Sequence, residues 1–404
     1  LKKVTVLGST GSIGVSTLDV LGRRRDEYQV FALVAGQNVE VLARQIADFR
    51  PQVAVVASDA ILPNLIDQLS KSGLAKSDWP ELLAGPAARV AVSVAPEVEF
   101  VMSAIVGVAG LEATYEATRL GKRIGLANKE VLVASGELVM QAARAAGTEL
   151  LPVDSEHNGM HQCLRAGKRG EVAKLILTAS GGPFRDTPAE AFEHVTPAQA
   201  LKHPTWKMGQ RITIDSATMM NKGFEVIEAC WLFDFRADQV EVVVHPQSSV
   251  HAMVEYTDGS LIAQVSATDM RMPIQYALTF PAREDAPVPK MEWTQPRTWN
   301  FYPPDLKKFR SLALAYEAMN AGGSAPCILN AADEVAVQAF LDGQISFGAI
   351  PRVVEETLDR LPHRYPKSIA EVLEIDRQAR AVAGEVVAEQ TSTALSLMST
   401  APIS

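Results

Sequence analysis

The chain has 404 residues, 47% hydrophobic and 21% charged, with a formal net charge of -9, the length of two or three cores and the composition of a globular protein. A negative balance gives no electrostatic footprint for nucleic acid or an acidic membrane surface, so an anionic ligand needs local basic groups. Three widely spaced cysteines, Cys163, Cys230 and Cys327, indicate neither a disulfide framework nor a zinc site.

A strand pattern begins directly after Lys3, and no apolar run approaches the ~20 residues of a membrane span. No signal peptide, no membrane contact and a cytoplasmic location are therefore expected. Residues 4–7 form an apolar run, followed by Gly8, Ser9, Thr10, Gly11, Ser12, Ile13 and Gly14 and a helical pattern over 15–21. Strand, glycine-rich turn and helix form the geometry in which backbone amides and a helix N-terminus hold a pyrophosphate. The spacing is GxxGxxG rather than GxGxxG, so its position between strand and helix carries the reading; a tight turn without ligand is the alternative. A second strand over 29–34 ends in Gly36, Gln37 and Asn38. An NAD-selective loop has an acid there for the ribose 2′-hydroxyl, so its absence leans to NADP, although no Lys or Arg stands ready for the 2′-phosphate.

Further strands are predicted over 53–57, 100–106, 123–127 and 150–153, with helices over 111–120 and 131–146. Such alternation implies a parallel, doubly wound sheet with ligands at the carboxyl ends of its strands. Asn128, Lys129 and Glu130 follow one strand end and overhang the cofactor crevice, or simply start a solvated helix. At the end of the last strand, Asp154 and Glu156 are two residues apart and point to one face of an extended chain. They suit a hard divalent cation, with two solvated acids as the alternative.

Beyond residue 156 the pattern changes. A strand over 174–178 runs into Ser180, Gly181 and Gly182, an anion-binding or ordinary turn. His203 to Gly209, with Trp206 between Pro204 and Gly209, reads as a mobile lid or as a loop pinned by its Trp. A strand is predicted over 211–215, with Ser216 starting the turn into a helix over 220–233. On that helix Lys222, Glu225 and Glu228 are spaced three apart and share a face. Asn221 and Lys222 suit a phosphate and Glu225 offers a third carboxylate, against the alternative of an exposed ion pair. Strands over 240–245, 250–256 and 261–267, with an Asp258-Gly259 hairpin, make a second α+β domain with a mainly antiparallel sheet. His251 lies within it, as a core histidine or a ligand contact. The proline-rich stretch 280–309 reads as an extended connector anchored by Trp293 and Trp299. Helical patterns over 312–319, 334–341, 350–361 and 369–387 make a small bundle, and the tail after Gln390 is expected to be loose.

Together these motifs resemble the 1-deoxy-D-xylulose 5-phosphate reductoisomerase family of the non-mevalonate isoprenoid pathway. The matching stretches are GSTGSIG at the start, NKE at 128–130, VDSEHN at 153–158, SGGPFR at 180–185, HPTWKMG at 203–209, DSATMMNKGFEVIEACWLF at 215–233 and NAADEVAV at 330–337. The resemblance implies an N-terminal Rossmann-like α/β domain over 1–153 and a catalytic α+β domain over 154–285. An extended linker over 286–310 and a C-terminal α-helical domain over 311–404 follow. It implies a homodimer acting on a small sugar phosphate, with NADPH and Mg²⁺ or Mn²⁺, or alternatively Co²⁺. Asp154, Glu156 and Glu225 would hold the metal, with Lys129 beside them as a catalytic residue. Ser155, Ser180, His203, Trp206, Ser216, Asn221, Lys222 and His251 would bind substrate. Gly8, Thr10, Gly11, Ser12, Ile13, Gly36, Gln37, Asn38, Asn128, Glu130, Met208 and Gly209 would contact the cofactor. Many relatives carry Lys or Arg where this chain has Gln37, which leaves open how the 2′-phosphate is held. The implied reaction is a skeletal shift by retro-aldol cleavage and re-aldolisation, followed by reduction of a branched aldehyde to 2-C-methyl-D-erythritol 4-phosphate. Another metal-assisted NADP-dependent oxidoreductase would explain the glycine loop and the carboxylates but not the separate phosphate set, and a non-catalytic dinucleotide sensor gives no reason for three convergent carboxylates.

Overall fold

The computed structural model describes residues 1–203 and 208–399, with side chains to 392. It begins with β1 (Lys2–Leu7), the glycine loop and α1 (Ser12–Gly22), then β2 (Tyr28–Val34) and α2 (Val39–Phe49). The alternation continues through β3 (Val53–Val56), α3 (Leu62–Lys71), β4 (Glu81–Ala84), α4 (Gly85–Val94), β5 (Val98–Ser103) and α5 (Leu111–Arg119). It ends with β6 (Arg123–Leu126), α6 (Glu130–Ala146), β7 (Leu150–Pro152) and α7 (Ser155–Cys163). The seven strands pair in the order β4-β3-β2-β1-β5-β6-β7, every neighbouring pair parallel. Val4, Val6, Leu33, Val55 and Val101 are fully buried on strands that helices cover on both faces. Strand order reverses between β1 and β5, which opens a crevice at their carboxyl ends. The strand β4 is absent from the predicted pattern, because four residues with one exposed Glu give no periodicity to read.

After residue 163 come β8 (Val172–Ala179), the single turn α8 (Pro197–Ala200), α9 (Gln210–Thr218) and α10 (Met220–Phe233). Next are β9 (Val240–Val244), β10 (Val250–Tyr256), β11 (Leu261–Val265) and α11 (Arg271–Thr279). The chain finishes with α12 (Arg310–Ala321), α13 (Ala325–Leu341), α14 (Ile350–Arg360) and α15 (Ile369–Ser399). The second sheet runs β11-β10-β8-β9; its first two pairings are antiparallel and β8/β9 is parallel.

The chain divides into two compact units. The first holds Leu1–Val131, Glu137–Gln162 and Ser266–Trp293; the second holds Leu132–Gly136, Cys163–Val265 and the chain from Thr294 onward. In the first, Ile274, Ala277 and Leu278 of α11 join the core of the parallel sheet, and the Tyr28 hydroxyl donates to the Leu278 carbonyl at 3.0 Å. The sequence pattern missed α11, whose nine residues include Pro273. In the second, Leu312, Leu329, Val354 and Val372 of the last four helices are fully buried.

Three expectations are corrected here. Residues 211–215 are helical, within α9, although Arg-Ile-Thr-Ile-Asp alternates like a strand; packing on α10 and α13 overrides that weak local preference. Trp293 is 68% exposed and not held in the core, whereas Trp299 packs against Ile176, Val250 and Met253. The helix α15 continues to Ser399 beyond the predicted loose tail, because no Gly or Pro interrupts it after Gly384.

Candidate active site

In the first unit the chain turns at Gly8 with φ +83°, where a Cβ would lie 2.4 Å from the Ala104 carbonyl oxygen. At Gly14, in the first turn of α1, a Cβ would lie 2.3 Å from the Gly8 carbonyl oxygen. Loop and helix approach too closely for any side chain, which explains the glycines. The helix α1 opens at Gly11 with no side-chain cap and no acid in its first turn. Its positive end and free-standing amides thus face Gly11 and Ser12, which are exposed, with Thr10 and Ile13 half-buried beside them. This cradle fits a pyrophosphate. Gln45 on α2 donates from Nε2 to the Ser9 carbonyl at 2.8 Å and holds the loop. Sequence reasoning passed over Gln45; its signal was a polar residue within the buried stripe Leu42, Ala43, Ile46.

Gly36, Gln37 and Asn38 are exposed at the end of β2, and the Asn38 side chain accepts from the Val41 amide at 3.2 Å, capping α2. Asn128, at the end of β6, is buried and donates from Nδ2 to the carbonyls of Ile105 and, at 3.0 Å, Gly107. Its Oδ1 is buried with no donor among the described residues. An orphaned carbonyl oxygen at the carboxyl end of the sheet fits an N–H of a bound dinucleotide. Glu130, two residues on, is buried at the start of α6.

Neighbouring strands β6 and β7 deliver Lys129 and Asp154 to one another, and the Lys129 ammonium donates to Asp154 Oδ2. The expected strand face is not what presents the acids. The strand ends at Pro152, and the Asp154 carbonyl already accepts from the Asn158 amide at 2.8 Å, so Asp154 caps α7 while Ser155 and Glu156 lie in its first turn. A tight helix start still brings the two carboxyls together, each offering an oxygen within 4.8 Å of the other. The Ser155 hydroxyl donates to Glu156 Oε2 at 2.5 Å. Burial works to raise the Asp154 pKa, but the charges of Lys129 and His157 and bonds from Lys129 and Glu156 outweigh it and hold the carboxyl below its ordinary value.

The remaining assigned residues lie in the second unit. The turn after β8 places the Ser180 hydroxyl 3.2 Å from the Gly182 amide, which donates to it, and 3.1 Å from His203 Nε2. Burial holds the His203 imidazole below its usual pKa and favours a neutral ring. At Gly182, φ is +65° and a Cβ would lie 2.6 Å from the Ser216 carbonyl oxygen, so the Ser-Gly-Gly turn packs on the last turn of α9. Helix α9 stops at Met219, whose φ of +62° redirects the chain into α10. Asn221 and Lys222 fall in the first turn of α10, which has no side-chain cap and no acid there. The hydroxyls of Ser180 and Ser216, the His203 ring and an uncapped helix start are donor types that suit a phosphate.

Within the same helix Asn221 Nδ2 donates to Glu225 Oε1 at 2.6 Å, and Lys222 Nζ donates to Glu225 Oε2. The pair is buried, with side chains 5% and 1% exposed, so the expectation of an exposed ion pair as the alternative is set aside. Glu228, one turn further, is also buried. His251 lies buried on β10. Met208 is half-buried, and the Gly209 carbonyl accepts from the Thr213 amide and hydroxyl at 3.1 and 2.7 Å, opening α9. Trp206 lies outside the described residues.

Family descriptions match most of the sequence. The description "1-deoxy-D-xylulose 5-phosphate reductoisomerase" covers residues 4–136, its C-terminal domain 150–233, and "DXP reductoisomerase C-terminal domain" 265–382. The chain is 66% identical to a 1-deoxy-D-xylulose 5-phosphate reductoisomerase of Solibacter usitatus over 96% of its length and 97% of the relative. It is similar to a solved reductoisomerase from Zymomonas mobilis in complex with NADPH, with a TM-score of 0.88, 45% identity, and coverage of 96% and 99% of the two chains. A second solved structure, a DOX-P reductoisomerase in complex with NADPH, fosmidomycin and magnesium, gives a TM-score of 0.88 at 37% identity, covering 96% and 98%.

Proposed function

The chain belongs to the 1-deoxy-D-xylulose 5-phosphate reductoisomerase family, and from that premise we infer that it converts 1-deoxy-D-xylulose 5-phosphate into 2-C-methyl-D-erythritol 4-phosphate, with NADPH and a divalent metal such as Mg²⁺. The observation that carries this is the 66% identity across 96% of the chain. NADPH supplies the hydride, and the metal supplies Lewis acidity toward the substrate's carbonyl and hydroxyl oxygens.

The residues divide the remaining work. Asp154, Glu156 and Glu225 are assigned to the metal, since three carboxylates satisfy a hard cation; Mn²⁺ and Co²⁺ suit the same oxygens. Lys129, already paired with Asp154, donates toward the sugar backbone, and Ser155 contacts it from the start of α7. Ser180, Ser216, Asn221, Lys222 and His203 hold the remote phosphate, whose binding energy positions the reacting carbons. Trp206 and His251 are assigned to the substrate and Met208 to the cofactor. Gly8, Thr10, Gly11, Ser12 and Ile13 cradle the pyrophosphate, with Gly36, Gln37 and Asn38 toward the adenosine and Asn128, Glu130 and Gly209 toward the nicotinamide. The segments 1–153, 154–285, 286–310 and 311–404 serve as cofactor, catalytic, linker and helical regions.

A homodimer is the proposed assembly. The edge strand β11 exposes Leu261 and Ile262 by 49% and 37%, an apolar strand edge that a second copy would pair and cover. No helix among the described residues is long and apolar enough to cross a membrane, and a cytoplasmic location is the corresponding proposal.

The test is loss of NADPH absorbance on adding 1-deoxy-D-xylulose 5-phosphate, compared with NADH, each with Mg²⁺ or with EDTA. Substrate-dependent oxidation that requires metal and prefers NADPH is expected. NADPH binding with no substrate-dependent oxidation would overturn the reading.

A further inference from the structure

The segment 330–337 belongs to no part of the site described above, yet it places charged groups in the interior. Asn330 and Asp333 of α13 are fully buried, and Asp215 of α9 is 4% exposed. Arg211 of α9 donates from Nη2 to Asn330 Oδ1 at 2.9 Å and from Nη1 to Glu334 at 3.1 Å. Its nearest approaches to Asp215 and Asp333 are longer, 3.7 and 4.0 Å. From α15, Arg380 reaches Glu334 at 2.8 Å and Asp376 at 2.7 Å. Among the described residues, the four carboxyls Asp215, Asp333, Glu334 and Asp376 lie about two guanidiniums, whose closer contacts go to Glu334 and Asp376. The neighbouring α10 offers Arg211 a ring, Phe224 at 5.9 Å. Both carboxyl oxygens of Asp333 are buried without a donor among the described residues, and Asp215 lies within hydrogen-bonding reach. Two carboxylates so placed cannot both stay ionised, whereas one proton between them satisfies both.

We propose that Asp333 is a positioning residue for the phosphate pocket, a neutral carboxylic acid that donates to the Asp215 carboxylate and fastens α9 to α13. Burial, and then the charge of Asp215, push the Asp333 carboxyl well above its ordinary pKa, in keeping with that role. The link to the pocket is short. Ser216 follows Asp215, and its carbonyl abuts Gly182 so closely that no Cβ fits. The seating of α9 therefore sets the spacing between the Ser216 hydroxyl and the Ser180 turn. The inference rests on the assignment of Ser180 and Ser216 to the substrate phosphate.

Three variants of the full-length enzyme test it. An amide at 333 still donates to Asp215, so Asp333→Asn should keep the wild-type KM for 1-deoxy-D-xylulose 5-phosphate at neutral pH. Asp333→Leu, with similar bulk and no donor, should raise KM about tenfold at little cost in kcat and leave the NADPH Kd unchanged. As pH rises, the shared proton leaves and wild-type KM should climb, while Asp333→Asn stays flat. The infrared carbonyl stretch of a neutral carboxylic acid should be present in wild type and absent in Asp333→Asn. No such band, or identical pH profiles for the two proteins, overturns the proposal. Should Asp333→Leu fail to fold, the Asn variant's profile and band decide alone. Ser216→Ala separates the premise: an unmoved KM there overturns the phosphate assignment. A raised KM there with wild-type KM in Asp333→Leu overturns the positioning role.

Discussion

Glu225→Gln separates the two tasks assigned to one buried carboxylate. Glu225 is 1% exposed and neutralises Lys222, itself 5% exposed, while also accepting from Asn221. The amide keeps an oxygen for one of those donors but removes the charge. Stripping a buried ion of its partner costs about 3 to 5 kcal/mol, and the retained oxygen places this case near 3. Urea unfolding without Mg²⁺ reads that loss directly. Turnover should fall further, by ~10³-fold or more at saturating substrate and Mg²⁺, equivalent to about 4 kcal/mol of barrier. NADPH fluorescence titration should give a nearly unchanged Kd, since the glycine loop contributes its own amides. A variant that loses stability but retains wild-type rates at limiting Mg²⁺ would remove Glu225 from the metal site and leave it a structural counter-ion.

Gly14→Ala drives a methyl to 2.3 Å from the Gly8 carbonyl oxygen; backbone on both sides cannot yield, so NADPH Kd should rise about tenfold or more while substrate-site variants leave it alone. An unchanged Kd would remove this turn from the cofactor site. Asp269 is bonded by Arg271, which also reaches Asp19 at 3.0 Å and ties α11 to α1. The Arg271 bond holds the Asp269 carboxyl below its ordinary 3.8. A depressed folded pKa means the contribution is complete above the unfolded value and lost as pH falls through the folded one. Wild type should exceed Asp269→Asn by under about 1 kcal/mol near pH 6, the partial exposure of the pair limiting it, with the gap closing as pH falls below the ordinary carboxylate range. A gap that widens in acid would contradict the sign. Ile262→Asp, on the exposed edge of β11, should shift the mass by light scattering from dimer toward monomer; an unaltered dimer would place the interface elsewhere.

What was legible in the sequence was whatever a short repeat or a single residue type dictates. The strand and helix alternation from Lys2 onward gave the parallel sheet, and the glycines at 8 and 14 gave the loop, because close backbone approach leaves a mark that only glycine can make. For the acids at 154 and 156 the sequence suggested nearness through a strand face, and the structure has them near for another reason. Their closeness comes from a helix that begins at Ser155, where Pro152 ends the ladder, and not from strand alternation. Gln45 and Asp333 were invisible because a polar residue on an apolar stripe has no partner until the fold supplies one.

The misread stretch 211–215 turns that limit into a measurement. Arg-Ile-Thr-Ile-Asp has two β-branched Ile and one Thr in five residues and no side-chain cap at Gly209, all unfavourable for an isolated helix. Its helical form rests on tertiary partners: Arg211 on Asn330 and Glu334, and buried Ile214 and Ala217. A peptide spanning 209–218 should therefore show negligible helical circular dichroism in water, as expected of ten residues, short of the roughly 12 to 15 that even a marginal isolated helix needs. A peptide over 219–234 should gain more helix in trifluoroethanol than the first, since it is longer, carries Met, Lys, Glu and Ala, and has a smaller share of β-branched residues. Equal helicity in the two would mean that α9 forms locally, and that the α9–α13 carboxyl contact decorates a helix instead of seating it.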